Sequence, residues 1–130
     1  MAGELILIVE DNEKNRKLVR DVLQVKGYRT VEAATAEDGI RLARAETPAL
    51  ILMDIQLPGM DGMSALSHLK RDPATSAIPA MALTASAMTE DREKILGAGF
   101  DRYMTKPINV KEFVETVRQM LEPARAEGTA

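Results

Sequence analysis

Two short stretches constrain this chain more than anything else in it. Leu5 to Val9 is a continuous apolar run that stops at Glu10 and Asp11, and Ala49 to Met53 repeats the form in front of Asp54. Strands apolar on both faces must be covered on both sides, as the strands of a parallel sheet are by their crossover helices. Between the two runs, Asn12 to Lys26 carries Leu18, Val19, Val22, Leu23 and Val25 at helical spacing, and Gly27 stands where a left-handed C-terminal cap belongs.

The alternation continues to the end of the chain. Tyr28 to Ala33 reads as a strand and Ala36 to Glu46 as a helix, with Thr35 as N-cap and Glu37 and Asp38 in the first turn. Met63, Leu66 and Leu69 mark a third helix that Asp72-Pro73 closes. Pro79 to Leu83 is a fourth strand, Thr89 to Leu96 a fourth helix ending at Gly97-Ala98-Gly99, and Phe100 to Met104 a fifth strand. Asn109 with Glu112 three residues on is a capping-box pattern, after which Val110, Phe113, Val114, Val117 and Leu121 trace one face of a last helix. Five strands alternating with five helices predict an α/β fold with a parallel sheet and right-handed crossovers. At 130 residues and 45% hydrophobic composition there is material for one core. The expected division is one domain over residues 1–122 and a short flexible tail over 123–130.

Composition removes several classes of function. There is no cysteine, so disulfides, thiolate metal sites and thiol chemistry are excluded. A net charge of −3 without a concentrated basic segment gives no electrostatic grip on nucleic acid, and 3% aromatics with no Trp give no stacking platform. The first apolar run is too short to cross a bilayer and follows a Glu rather than positive charge, so a cytoplasmic location without membrane contact is expected.

In open parallel sheets the functional crevice lies beyond the carboxyl ends of the strands. Glu10 and Asp11 follow the first strand, Asp54 ends the third, Thr84 follows the fourth, and Lys106-Pro107 follows the fifth. Three carboxylates at one sheet edge repel unless a cation offsets them, and an all-oxygen donor set selects a hard ion, Mg²⁺ first. Asp11 and Asp54 are the expected direct ligands, Glu10 a ligand directly or through water, and the Gln56 carbonyl a further one. Such a site suits phosphoryl transfer, with Asp54 as nucleophile and Lys106 and the Thr84 hydroxyl offsetting charge on the transferred group. A cis peptide at Lys106-Pro107 is affordable and would turn the lysine over the pocket. Each residue also has a plain structural use, as turn former, helix cap or loop residue. Their joint placement at one edge is what favours the chemistry.

With these residues in view, the sequence resembles the receiver domains of two-component response regulators. The matching stretches are LILIVEDN, LILMDIQLPGMDG around Asp54, ALTA at Thr84, and Tyr103 to Pro107, and the resemblance runs from Glu4 to about Glu122. Within the family it is most similar to single-domain cell-division and chemotaxis regulators. The resemblance implies a flavodoxin-like, doubly wound sheet of order 2-1-3-4-5 and phosphorylation of Asp54 by a histidine kinase or histidine phosphotransfer protein. It also implies coupling through Thr84 and Tyr103 to the face formed by helix 4, strand 5 and helix 5. Glu10 stands where many relatives carry Asp.

On that reading the chain is a switch rather than an enzyme, acting on a protein partner through Arg92, Leu96, Tyr103 and Thr116, as a monomer or a phosphorylation-dependent dimer. Met60 and Met88 flank the pocket as further contact residues, Gln56 and Ser86 border the attacking water, and His68 is expected at the surface. A phosphatase of the haloacid dehalogenase type also uses an Asp at a strand end, but needs a second Asp two residues on, where this chain has Gln56. The remaining alternatives are a receiver cut from a larger regulator and a degenerate receiver that works without phosphate.

Overall fold

The computed structural model describes residues 3–85 and 88–122. The elements run β1 (Leu5–Val9), α1 (Glu13–Val25), β2 (Arg29–Ala33), α2 (Ala36–Glu46), β3 (Leu50–Asp54), α3 (Gly62–Arg71), β4 (Ala80–Thr84), α4 (Thr89–Gly97), β5 (Arg102–Thr105) and α5 (Val110–Leu121). All neighbouring strands pair in parallel, in the order β2-β1-β3-β4-β5. This is the flavodoxin-like arrangement expected. The tail assigned to residues 123–130 lies outside the described residues.

Strand pleating divides the core in two. Ile6, Ile8, Leu50, Leu52, Met81 and Leu83 point to one face, where Val19 and Leu23 of α1 and Phe113, Val117 and Met120 of α5 cover them. Leu7, Val9, Ile51, Met53, Ala80 and Ala82 point to the other, under α2, α3 and α4. Burial on both faces is why β1, β3 and β4 read as unbroken apolar runs. The chain's two tyrosines are separated by the same division, Tyr28 packing beside the α1/α5 cluster and Tyr103 against the opposite one.

Side-chain caps set most helix starts. Asn12, Thr35, Asp61 and Asn109 each accept a hydrogen bond from the backbone N–H three residues on. Asn12 is thus the cap of α1 and not its first residue. At the other end of α1, the Gly27 N–H donates to Gln24 and the Tyr28 N–H to Leu23, with Gly27 at φ 91°. That is the glycine stop expected there, a Schellman motif.

Several expectations shift. Leu18 and Val25 of α1, and Val110 of α5, are exposed although they fit a helical apolar pattern. They flank stripes centred on Val19/Leu23 and on Phe113/Val117, and only the stripe centre meets the sheet. The fifth strand begins at Arg102 rather than Phe100. Phe100 is buried, but Gly99 at φ 115° turns the chain, and Asp101 is the junction to β4: its N–H donates to the Ala80 carbonyl and its carboxylate accepts from the Ala80 N–H.

Candidate functional site

Parallel register carries the reactive side chains to one edge. Val9 pairs with Ala33 on one side and Met53 on the other, so the residues that follow emerge together where β1 separates the two winding directions of the sheet. Asp54 closes β3 opposite Leu83, and Thr84 closes β4 opposite Thr105, one residue before Lys106. The Lys106 N–H donates to the Thr84 carbonyl at 2.7 Å. The Lys106–Pro107 peptide is cis, as the sequence allowed.

Glu10, Asp11 and Asp54 each offer a carboxylate oxygen, and these atoms lie within 4.8 Å of one another. Glu10 and Asp54 are buried, at 1% and 3% exposure, whereas Asp11 opens to solvent. The Lys106 ammonium donates to Asp54 Oδ2 at 2.9 Å and touches Glu10 Oε1 at 2.8 Å. The other oxygens are held by backbone: Asp54 Oδ1 accepts from the Gln56 N–H at 2.9 Å, and Glu10 Oε2 from the Asn12 N–H at 3.1 Å.

Burial acts on all three groups and the partners decide the outcome. Burial pushes the Asp54 carboxyl up, but the Lys106 ammonium, Glu10 and the Gln56 N–H together hold it below the ordinary aspartate value. Burial pushes Glu10 up as well; Lys106 opposes this, the Asp54 carboxylate reinforces it, and Glu10 ends above the ordinary value. Burial disfavours the Lys106 ammonium, yet the two carboxylates more than compensate and raise it.

The donor set fits a hard divalent cation. Three carboxylates face one ammonium, leaving excess negative charge. Glu10 Oε1 is buried without a hydrogen bond in good geometry, 2.8 Å from the lysine ammonium. Every donor there is oxygen, which suits Mg²⁺ or Ca²⁺ rather than a softer metal.

Of the remaining expected residues, only some adjoin this centre. Thr84 is buried at the end of the strand beside Asp54. Tyr103 lies one strand position from Met104 on β5, half-buried, with the Arg92 guanidinium 5.5 Å from its ring centroid. Leu96, Tyr103 and Thr116 line a common groove between α4, β5 and α5, so the four residues expected on a partner surface do share one face. Met60 is half-buried against the core and Met88 is exposed, while His68 is at the surface as expected. Ser86 lies outside the described residues.

Two features were not read from the sequence. A Cβ on Gly62 would lie 2.4 Å from the Asp54 carbonyl oxygen and 2.9 Å from Ile55 Cα, so only glycine lets α3 begin against the backbone that carries Asp54. The position of Gly62 at the end of the LPGMDG stretch was the available signal. Arg16 of α1 reaches across to the Glu10 carbonyl and to Glu32 of β2. No local pattern announces that pairing.

Comparison with known proteins agrees with this geometry. Residues 6–118 match the family model described as the response regulator receiver domain. The polar-differentiation response regulators DivK of Brucella ovis and Brucella abortus are each 44% identical over 119 residues, covering 92% of this chain and 97% of theirs. Among solved structures, the receiver domain of the sensor histidine kinase PA1611 of Pseudomonas aeruginosa, which has a magnesium ion coordinated in its active-site cleft, is 35% identical. It superposes with a TM-score of 0.85, covering 92% of this chain and 98% of that one. A CheY-like receiver domain protein of Methanospirillum hungatei is 29% identical with a TM-score of 0.87, covering 97% of this chain and 99% of that one. By sequence, topology and the acidic edge of its sheet, the chain belongs to the response regulator receiver domain family.

Proposed function

We propose that this chain takes a phosphoryl group onto Asp54 from a phosphohistidine on a histidine kinase or histidine phosphotransfer protein, in a Mg²⁺-dependent reaction, and passes the signal on through the α4–β5–α5 face. The class follows from the family: a receiver is a phosphoacceptor switch in two-component phosphorelay signalling rather than a classical enzyme. The observation that carries the specific reading is the convergence of the Glu10, Asp11 and Asp54 carboxylates with Lys106 bonded to Asp54. The receiver domain is taken as residues 1–122.

Asp11, Asp54, Glu10 and the Gln56 carbonyl would hold the ion, Glu10 directly or through water. Bound there, Mg²⁺ supplies charge neutralisation for the incoming phosphoryl oxygens. Asp54 stays ionised in this setting, so an oxygen lone pair is available to attack phosphorus. The P–O bond forms as the P–N bond to the donor imidazole breaks, and the imidazole leaves with the electron pair of that bond. Lys106 then exchanges its contact with the carboxylate for one with a phosphoryl oxygen, and the Thr84 hydroxyl donates to another. Thr84 drawn inward vacates space on the Tyr103 side of β4, and the ring turning into it alters the face that carries Arg92, Leu96 and Thr116. Water attack on phosphorus, past Gln56, releases phosphate and restores the carboxylate. The α4–β5–α5 face serves a downstream protein or a second phosphorylated copy, in a cytoplasmic setting; among the described residues no helix is long and apolar enough to cross a membrane.

The test is intact mass after incubation with phosphoramidate or acetyl phosphate, with and without Mg²⁺, for wild type and Asp54→Asn. A Mg²⁺-dependent, base-labile adduct that Asp54→Asn lacks is the expected result. A folded wild type that binds Mg²⁺ yet accepts phosphate neither from these donors nor from a phosphohistidine protein would establish the phosphate-independent receiver instead.

A further inference from the structure

Arg16 sits on the first turns of α1, outside the acidic centre, and two of its guanidinium nitrogens are committed. Nη1 donates to the Glu10 backbone carbonyl at 2.8 Å, and Nε donates to Glu32 Oε1 on β2 at 3.2 Å. Glu32 is held in turn by Arg20 Nη1, 3.3 Å from both carboxylate oxygens. The Arg16 side chain is 21% exposed and that of Glu32 27%, so the pair is partly withdrawn from water. The Glu10 N–H also donates to β2, to the Ala33 carbonyl at 3.0 Å.

The Glu10 carbonyl and the Asp11 N–H belong to one planar peptide unit. Fixing that oxygen therefore fixes the plane from which both Cα–Cβ bonds depart. We infer that Arg16 is a positioning residue for the metal site: its guanidinium, anchored on Glu32, orients the Glu10–Asp11 peptide and thereby aims both carboxylates at the cation. The inference rests on the reading of the acidic centre as a Mg²⁺ site. A guanidinium suits the task because its fixed fork spans two acceptors at once, which a lysine ammonium on a flexible stem does not.

Charge and positioning act with opposite signs here. Removing a cation near an acidic pocket makes the pocket more negative, which by Coulomb attraction alone tightens Mg²⁺ binding. Losing the orientation of the ligand peptide weakens it, and partners that orient metal ligands are typically worth about 10- to 100-fold in affinity. Arg20 provides the matched control, since it shares Glu32 but its guanidinium bonds to Glu32 and Asp21 rather than to the Glu10 carbonyl.

The experiment is calorimetric titration of the full chain with MgCl₂ at fixed pH and ionic strength, for wild type, Arg16→Met, Arg16→Lys and Arg20→Met. Met keeps most of the apolar stem of Arg16 while removing its donors. Arg16→Met is expected to raise the Mg²⁺ dissociation constant about tenfold and Arg16→Lys severalfold, whereas Arg20→Met leaves it unchanged or slightly lower. If Arg16→Met does not fold, Arg16→Lys against Arg20→Met carries the same comparison. Equal affinity in wild type and the Arg16 variants, tighter binding in them, or equal weakening by Arg20→Met overturns the inference while leaving the site reading intact. A wild type that binds no Mg²⁺ overturns both.

Discussion

At the scale of single residues, the site is a contest between burial and pairing, and pH exposes it. Glu10 is raised in the folded chain above its ordinary 4.5, so the fold binds that proton more tightly than the unfolded chain does. Its contribution to stability is full below pH 4.5 and is lost as pH rises through the elevated value. Asp54 is lowered from 3.8, so its contribution is present above that pH and lost as pH falls through the depressed value. In metal-free protein, Glu10→Gln should therefore gain on wild type as pH rises above 4.5, a difference that urea denaturation at several pH values measures. The same variant should bind Mg²⁺ more weakly. Lys106→Met removes the donor that faces Asp54, and phosphorylation by phosphoramidate at saturating Mg²⁺ should slow by about 10²-fold or more, the usual cost of one such donor. Most of these residues were legible in the sequence because each directly follows or closes an apolar run. Arg16 and Glu32 were not, since their contact joins positions 16 apart on a helix and a strand, and only the packing of α1 beside β2 brings them together.

At the scale of elements, the way α3 meets β3 sets the position of Asp54. Gly62→Ala would press a methyl group into the Asp54 and Ile55 backbone, which cannot move aside as a side chain tip can. A loss of about 1–3 kcal/mol is expected from urea denaturation, the range for overpacking at a closed site. Gly97→Ala, where an added Cβ meets nothing within 4 Å, should instead be neutral or stabilising by up to about 1 kcal/mol through helix propensity. Strands were easier to read than helix faces. A run buried on both sides needs no phase, whereas Leu18, Val25 and Val110 show that a helix can carry more apolar positions than the sheet can cover. The start of β5 was displaced by two residues because the apolar Phe100 imitates a strand, while the positive φ of Gly99 and the Asp101 junction, which end the turn, have no apolar signature.

At the scale of the whole molecule, a cation bound only by the folded chain must stabilise it. At a Mg²⁺ concentration ten times the dissociation constant, linkage gives about 1.4 kcal/mol, and for a chain of this size the unfolding midpoint should rise by roughly 3–6 °C. Differential scanning calorimetry with and without MgCl₂ measures the shift, which Asp54→Asn should reduce. The sheet also separates the chain's only two aromatic hydroxyls, Tyr28 beside the α1/α5 layer and Tyr103 against the opposite one under Arg92, in a sequence that has no tryptophan. The fold thereby comes with two native tyrosine probes and no tryptophan signal to mask them. Ring resonances of Tyr103 should follow activation while those of Tyr28 hold still, making the unlabelled protein its own two-channel instrument.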